Sequence, residues 1–115
     1  MFARKTFKAG GLRPRHKFGA VQTVRDGIKF PSKLEAAYYD QLKLRVLAGE
    51  VLFFLRQVPF HLPGGTKYTV DFEEFHADGT VHFVDTKGQE TKEFVRAKKQ
   101  VEGLYPVTIE VVKKV

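Results

Sequence analysis

Asp71 and the triplet Asp85-Thr86-Lys87 are the residues whose types and spacing could do chemistry. Residues i and i+2 of a strand face the same side, so Asp85 and Lys87 project together. Two carboxylates beside a lysine suit phosphodiester hydrolysis. The carboxylates can hold one or two Mg²⁺ ions, which cancel charge on the phosphate and acidify a water. The ammonium can orient that water and stabilise the developing oxyanion. Taken alone, an Asp-x-Lys pattern more often marks a cross-strand salt bridge, so both readings stay open at this point.

Whether Asp71 joins the other two depends on the turn between its strand and theirs, Ala77-Asp78-Gly79. A strict two-residue Asp-Gly loop would set Asp71 opposite Thr86, on the wrong face. A three-residue loop, a type I turn followed by Gly79 in the left-handed region, pairs His76 with Thr80, Glu73 with Phe83 and Asp71 with Asp85. Glycine in the last position is what the second turn requires, and this register is the one expected.

Two further charged residues fall where apolar ones belong. Glu35 lies within the arc of Leu34, Tyr38, Leu42 and Val46 on a helix expected over Lys33–Ala48. Ser32-Lys33-Leu34-Glu35 also fits a capping box. A carboxylate on a buried face costs free energy unless a partner or a metal receives it, which favours a metal role compatible with capping. Lys98 sits among Phe94, Val95 and Val101 on a second helix. Its stem can snorkel past an apolar surface, or its ammonium can meet a phosphate.

The elements that must position these residues follow from patterning. Residues 1–18 carry Arg4, Lys5, Lys8, Arg13, Arg15 and Lys17, no acid and no periodicity. They read as a flexible basic arm that can touch DNA or merely aid solubility. Residues 19–115 form one domain. Asp26-Gly27 between short apolar runs signals a small hairpin over 20–30. Ser32 caps the first helix and Gly49 closes it. Strands follow at 51–62, where Pro59 indicates an edge or bulge, at 67–75 and at 80–86. A helix begins at Thr91 and is stopped by Gly103 and Pro106; its apolar face is Phe94, Val95, Val101 and Leu104. The last strand is 107–113. Strand-helix-strand at the end implies a parallel crossover. The expected class is therefore α/β, ordered α-β-β-β-α-β, with a mixed sheet flanked by helices and a small N-terminal hairpin.

Composition narrows the function classes. The formal charge is +7, with twenty basic and thirteen acidic residues, which favours a polyanionic partner, nucleic acid before membrane. Seven of those acids fall between Asp71 and Glu93, and bound divalent cations are one reason for such clustering in a basic chain. Cysteine is absent, which excludes disulfides and thiolate metal sites. No stretch is long and apolar enough for a membrane helix, and no apolar run follows the basic N-terminus as a secretory leader would need. The histidines His16, His61, His76 and His82 have no metal-ligand spacing.

The order helix-Glu, strand-Asp, strand-Asp-x-Lys, helix, strand resembles the core of the PD-(D/E)XK nucleases. Asp26-Gly27-Ile28-Lys29-Phe30, Ser32, Glu35-Ala36, Gln57, Tyr68, Asp71-Phe72, Asp85-Thr86-Lys87-Gly88, Thr91 and Lys98 resemble, more closely, a family of small phage-encoded proteins in that superfamily, over about residues 19–113. The resemblance implies a restriction-endonuclease-like fold with Glu35, Asp71, Asp85 and Lys87 as the catalytic set. Glu35, Asp71, Asp85 and the main-chain carbonyl of Thr86 would be ligands of Mg²⁺ or Mn²⁺, and Gln57 an active-site or DNA contact. Asp85 stands where many members carry Glu. The implied activity is metal-dependent hydrolysis of DNA, selective for branched or four-way structures and performed by a homodimer, in the cytoplasm of a bacterial host. A nicking or end-processing nuclease and a non-catalytic nucleic-acid-binding module are the alternatives.

Overall fold

The computed structural model describes residues 22–115. The basic arm with its six cations, and His16, lie outside the described residues. The chain runs β1 (Thr23–Arg25), β2 (Ile28–Phe30), α1 (Lys33–Leu47), β3 (Val51–His61), a single 3₁₀ turn at Pro63–Gly65, β4 (Lys67–His76), β5 (Val81–Thr86), α2 (Lys92–Leu104) and β6 (Ile109–Val112). The architecture is α/β. A four-stranded mixed sheet in the order β3-β4-β5-β6 stands beside the two-stranded β1-β2 hairpin. β6 runs parallel to β5, as the crossover through α2 requires, and the other pairs are antiparallel.

The β4–β5 turn sets the register. Gly79 takes φ +89°, His76 donates its amide to the Thr80 carbonyl at 2.9 Å, and Glu73 pairs with Phe83 and Phe72 with Val84. This is the register expected from the three-residue loop. The Asp26-Gly27 turn likewise forms, with both residues at positive φ and Arg25 paired to Ile28. Pro59 lies on β3, an edge strand, opposite Thr69.

Two cores hold the sheet between the helices. One gathers Phe30, Ala36, Tyr38, Tyr39, Leu42, Val51, Phe72 and Val84 under α1; the other gathers Phe60, Val70, Val101 and Ile109 toward α2. The hairpin is more than an accessory. Phe30 is fully buried and its ring lies 5.0 Å from that of Tyr39. Asp26 accepts from the Tyr39 hydroxyl and from Lys43. The hairpin thus covers a second side of α1, and the buried arc is Glu35, Ala36, Tyr38, Tyr39 and Leu42, wider than the expected stripe of every fourth residue.

Three expectations for the C-terminal part need correction. Gly103 lies inside α2, which runs on to Leu104 before Tyr105 ends it. Val95 and Leu104 are exposed rather than buried, so Phe94 and Val101 carry the packing. β6 is shorter than expected because only Ile109–Val112 find partners on β5.

Candidate functional site

The ladders around Asp71 break on both sides. With His76 and Thr80 a hydrogen-bonded pair, alternation would next bond Val70 to Thr86. Instead Thr86 donates its amide and its hydroxyl to Asp71 Oδ2, each at 2.9 Å, and regular pairing of β4 with β5 ends at Phe72↔Val84. On the other side, Arg56 pairs with Phe72 and Val58 with Val70, but Gln57, which would face Asp71, is skipped. Gln57 has φ +54°, the left-handed region that a non-glycine side chain occupies at a cost, and such strain concentrates at functional positions. Val70 and Phe72 would share a face on a regular strand. Here they enter different cores, with Asp71 at the changeover.

This irregular point gathers the acids. Gln57 donates from Nε2 to Glu35 Oε2 at 3.1 Å and to Asp71 Oδ1 at 3.4 Å, so one amide bridges a helix carboxylate and a strand carboxylate. Arg56 Nη2 reaches the same Glu35 oxygen at 3.5 Å, and its guanidinium lies over the Phe30 ring. Asp85 accepts from the Asp71 amide at 3.0 Å and from the Tyr68 hydroxyl. Glu35 is 3 % exposed and Asp85 1 %. Burial, then the neighbouring Asp71 charge, push the Glu35 carboxyl above its ordinary value. Burial also pushes Asp85 up, against the Tyr68 hydroxyl and the Asp71 amide that pull it down. The Tyr68 hydroxyl is raised in turn by its own burial and by Asp85.

Ser32 does cap α1, accepting from the Glu35 amide at 3.1 Å. The Glu35 side chain does not complete a capping box; its carboxylate points to Gln57 and Arg56. Lys87 forms no ion pair with Asp71 or Asp85 among the described residues. Its ammonium lies over the Phe94 ring, 5.3 Å from the centroid, and it lowers Asp85 only through space. The cross-strand salt bridge is therefore not the arrangement adopted. Glu35, Asp71, Thr86 and Lys87 line one cleft of about 540 Å³ between the start of α1 and the end of β5, which Lys113 also borders.

Lys98 stands apart from this cleft. It pairs with Glu102 at 3.0 Å, and Glu102 also accepts from the Ile109 amide, tying α2 to β6. Much of the acid clustering has structural causes as well. Glu74 is fully buried and accepts from Tyr38 at 2.5 Å, with His76 at 2.9 Å and Arg45 at 3.6 Å beside it. Asp78 accepts from the amide and hydroxyl of Thr80 in the turn. Sequence patterning missed Glu74, although it shares strand parity with Phe72. It also assigned no role to Tyr68 or Arg56; an arginine within a largely apolar strand was the one available signal.

A hard divalent cation fits the chemistry of this donor set, which is all oxygen and carries excess negative charge at Glu35 and Asp71, offset in part by Arg56. Among the described residues no three His, Asp or Glu side chains already converge on one point. The Asp85 oxygens each have one donor, and a carboxylate oxygen offers two lone-pair directions, so capacity remains. Fold and site together define a small α/β domain with an acidic, lysine-flanked cleft where its mixed sheet parts. The chain belongs to the family described as "Protein of unknown function (DUF1064)", whose profile matches residues 15–114. Comparison with curated proteins and with solved structures gives no match.

Proposed function

We propose that the protein is a divalent-metal-dependent endodeoxyribonuclease of the PD-(D/E)XK type that acts on branched or four-way DNA. The observation that carries this reading is the pair of buried carboxylates tied to Asp71, Glu35 through Gln57 and Asp85 through the Asp71 amide, with Glu35, Asp71 and Lys87 lining the cleft and Asp85 outside its lining. Burying two acids with raised proton affinity there carries a desolvation cost that their hydrogen bonds offset only in part, and a bound cation would offset the rest. Glu35, Asp71, Asp85 and the Thr86 carbonyl would hold Mg²⁺ or Mn²⁺. When bound, the metal would cancel phosphate charge and acidify a water.

The chain's own residues do the rest. Gln57 fixes Glu35 and Asp71 relative to each other, and Thr86 fixes Asp71 against β5. Tyr68 favours the ionised form of Asp85. Lys87, held near Phe94 and without a carboxylate partner among the described residues, would meet a phosphate oxygen and the attacking water. Hydrolysis then forms a bond from the water oxygen to phosphorus, breaks one ester bond, and passes a proton to the leaving alkoxide. Cutting both strands of a junction symmetrically needs two such sites, hence a two-fold dimer.

One observation favours a second reading, a non-catalytic nucleic-acid-binding module: both Asp85 oxygens are already hydrogen-bonded. A single assay separates the two. Purified protein is incubated with linear, nicked, flapped and four-way DNA in Mg²⁺ or in EDTA. Cleavage in Mg²⁺ alone, fastest on branched DNA, supports the nuclease. Binding without cleavage in Mg²⁺ supports the module.

A further inference from the structure

The outer face of α2 carries a feature that the cleft does not use. Lys92, Arg96 and Lys99 recur at i, i+4 and i+7, so they stack along one side of the helix. All three are exposed. Among the described residues none has a carboxylate within ion-pair distance, whereas Lys43, Arg45, Arg56, Lys98 and Lys113 all do. The three cations line a groove with Val95 and one acid, Glu90. That acid is already engaged, because Lys113 holds its carboxylate at 3.1 Å.

Lys113 makes the geometry informative. It borders the cleft that contains Glu35, Asp71 and Lys87, and through Glu90 it also borders the α2 groove. The two depressions therefore adjoin. Lys87 and Lys113 border the cleft, and the α2 row lies beyond Glu90 in the adjoining groove. The row rises about 10 Å along the helix, which matches the axial rise of about three base pairs of duplex DNA. Unpaired cations in a row fit a linear polyanion better than a compact one.

We propose that Lys92, Arg96 and Lys99 form a ridge that seats the sugar-phosphate backbone of DNA leading away from the cleft. This rests on the reading of the cleft as a DNA site, and it names the surface that holds the substrate there. Phosphate contacts of this kind position a duplex without reading its sequence. They suit an enzyme that selects DNA by shape.

The test is equilibrium binding of the full chain to four-way and linear DNA in EDTA, by fluorescence anisotropy across a salt series. A variant carrying Lys92→Gln, Arg96→Gln and Lys99→Gln is compared with a charge-matched control, Lys29→Gln, Lys67→Gln and Lys114→Gln. Glutamine keeps helix propensity, and matched melting curves show that both variants fold. The ridge variant is expected to bind on the order of tenfold or more weakly at low salt. Its slope of log affinity against log salt should be shallower by about 0.9 for each cation that meets a phosphate. The control should change much less. Equal losses in the two variants would reduce the effect to net charge and overturn the ridge, while leaving the DNA reading intact. No DNA binding by the wild-type chain would instead remove the DNA reading itself, and the ridge with it. Loss of binding only to vesicles of anionic lipid, with DNA affinity untouched, would assign the ridge to a membrane surface and overturn the proposal.

Discussion

Thr86 donates both its amide and its hydroxyl to a single carboxylate oxygen of Asp71, each at 2.9 Å. A side chain thus replaces the main-chain acceptor that the β4–β5 ladder would have offered, and the strands part there. Thr86→Val removes the hydroxyl donor and keeps the shape. It should destabilise the fold by about 1.5–3 kcal/mol, as expected for a hydrogen bond to a carboxylate, measured by urea unfolding. An unchanged midpoint would mean that the amide alone holds Asp71.

Tyr68 offers a test through pH. Its hydroxyl lowers the proton affinity of Asp85, whose carboxyl is otherwise pushed up by burial. Tyr68→Phe should therefore lift Asp85 further and move the acid limb of the cleavage rate to higher pH. Activity should fall at neutral pH and recover in part under alkaline conditions. If the limb stays where it is, Asp85 ionisation does not limit the reaction.

Stability should respond to the same groups. Glu35 and Asp85 both have raised values in the fold. The folded chain then binds protons that the unfolded chain has released, so stability falls as pH rises from the ordinary carboxylate value through the raised one. Without metal, Glu35→Gln should flatten this fall and equal or exceed the wild-type Tm at neutral pH. Mg²⁺ should raise the wild-type Tm by mass action and leave the variant nearly unmoved. A variant less stable than wild type in EDTA would show that the contacts with Arg56 and Gln57 outweigh the cost of burial.

Assembly is checked by light scattering with and without four-way DNA. The proposed function expects a dimer on the junction. The β1–β2 hairpin and the β3 edge, where Leu52, Phe53 and Leu55 are exposed, are the candidate surfaces for it. A monomer in both conditions would restrict the protein to nicking one strand.

Local chemistry explains what was legible in the sequence. Asp26-Gly27 and Gly79 need positive φ, so both turns and the pairing of Glu73 with Phe83 followed from residue type, while the expected Asp71–Asp85 pair is not part of the ladder. Glu35 stood out because a charge interrupted an apolar arc. The left-handed backbone at Gln57 could not be read, since no neighbouring residue demands it; the packing of two cores on either side does. Glu74 was hidden for a similar reason, its partners Tyr38, Arg45 and His76 being set by tertiary contact. The exposure of Val95 and Leu104 depends on what lies opposite α2, which helical periodicity does not specify.

In the proposed nuclease Lys87 meets the reacting phosphate. Single-turnover cleavage of a four-way junction in Mg²⁺ tests this by comparing the wild type with Lys87→Ala at saturating protein. Lys87 is one of twenty basic residues and forms no ion pair among the described residues, so junction affinity and melting temperature should be nearly unchanged. The cleavage rate should fall on the order of 10²-fold or more, as when one preorganised oxyanion donor is lost. Cleavage by Lys87→Ala at the wild-type rate would contradict the account.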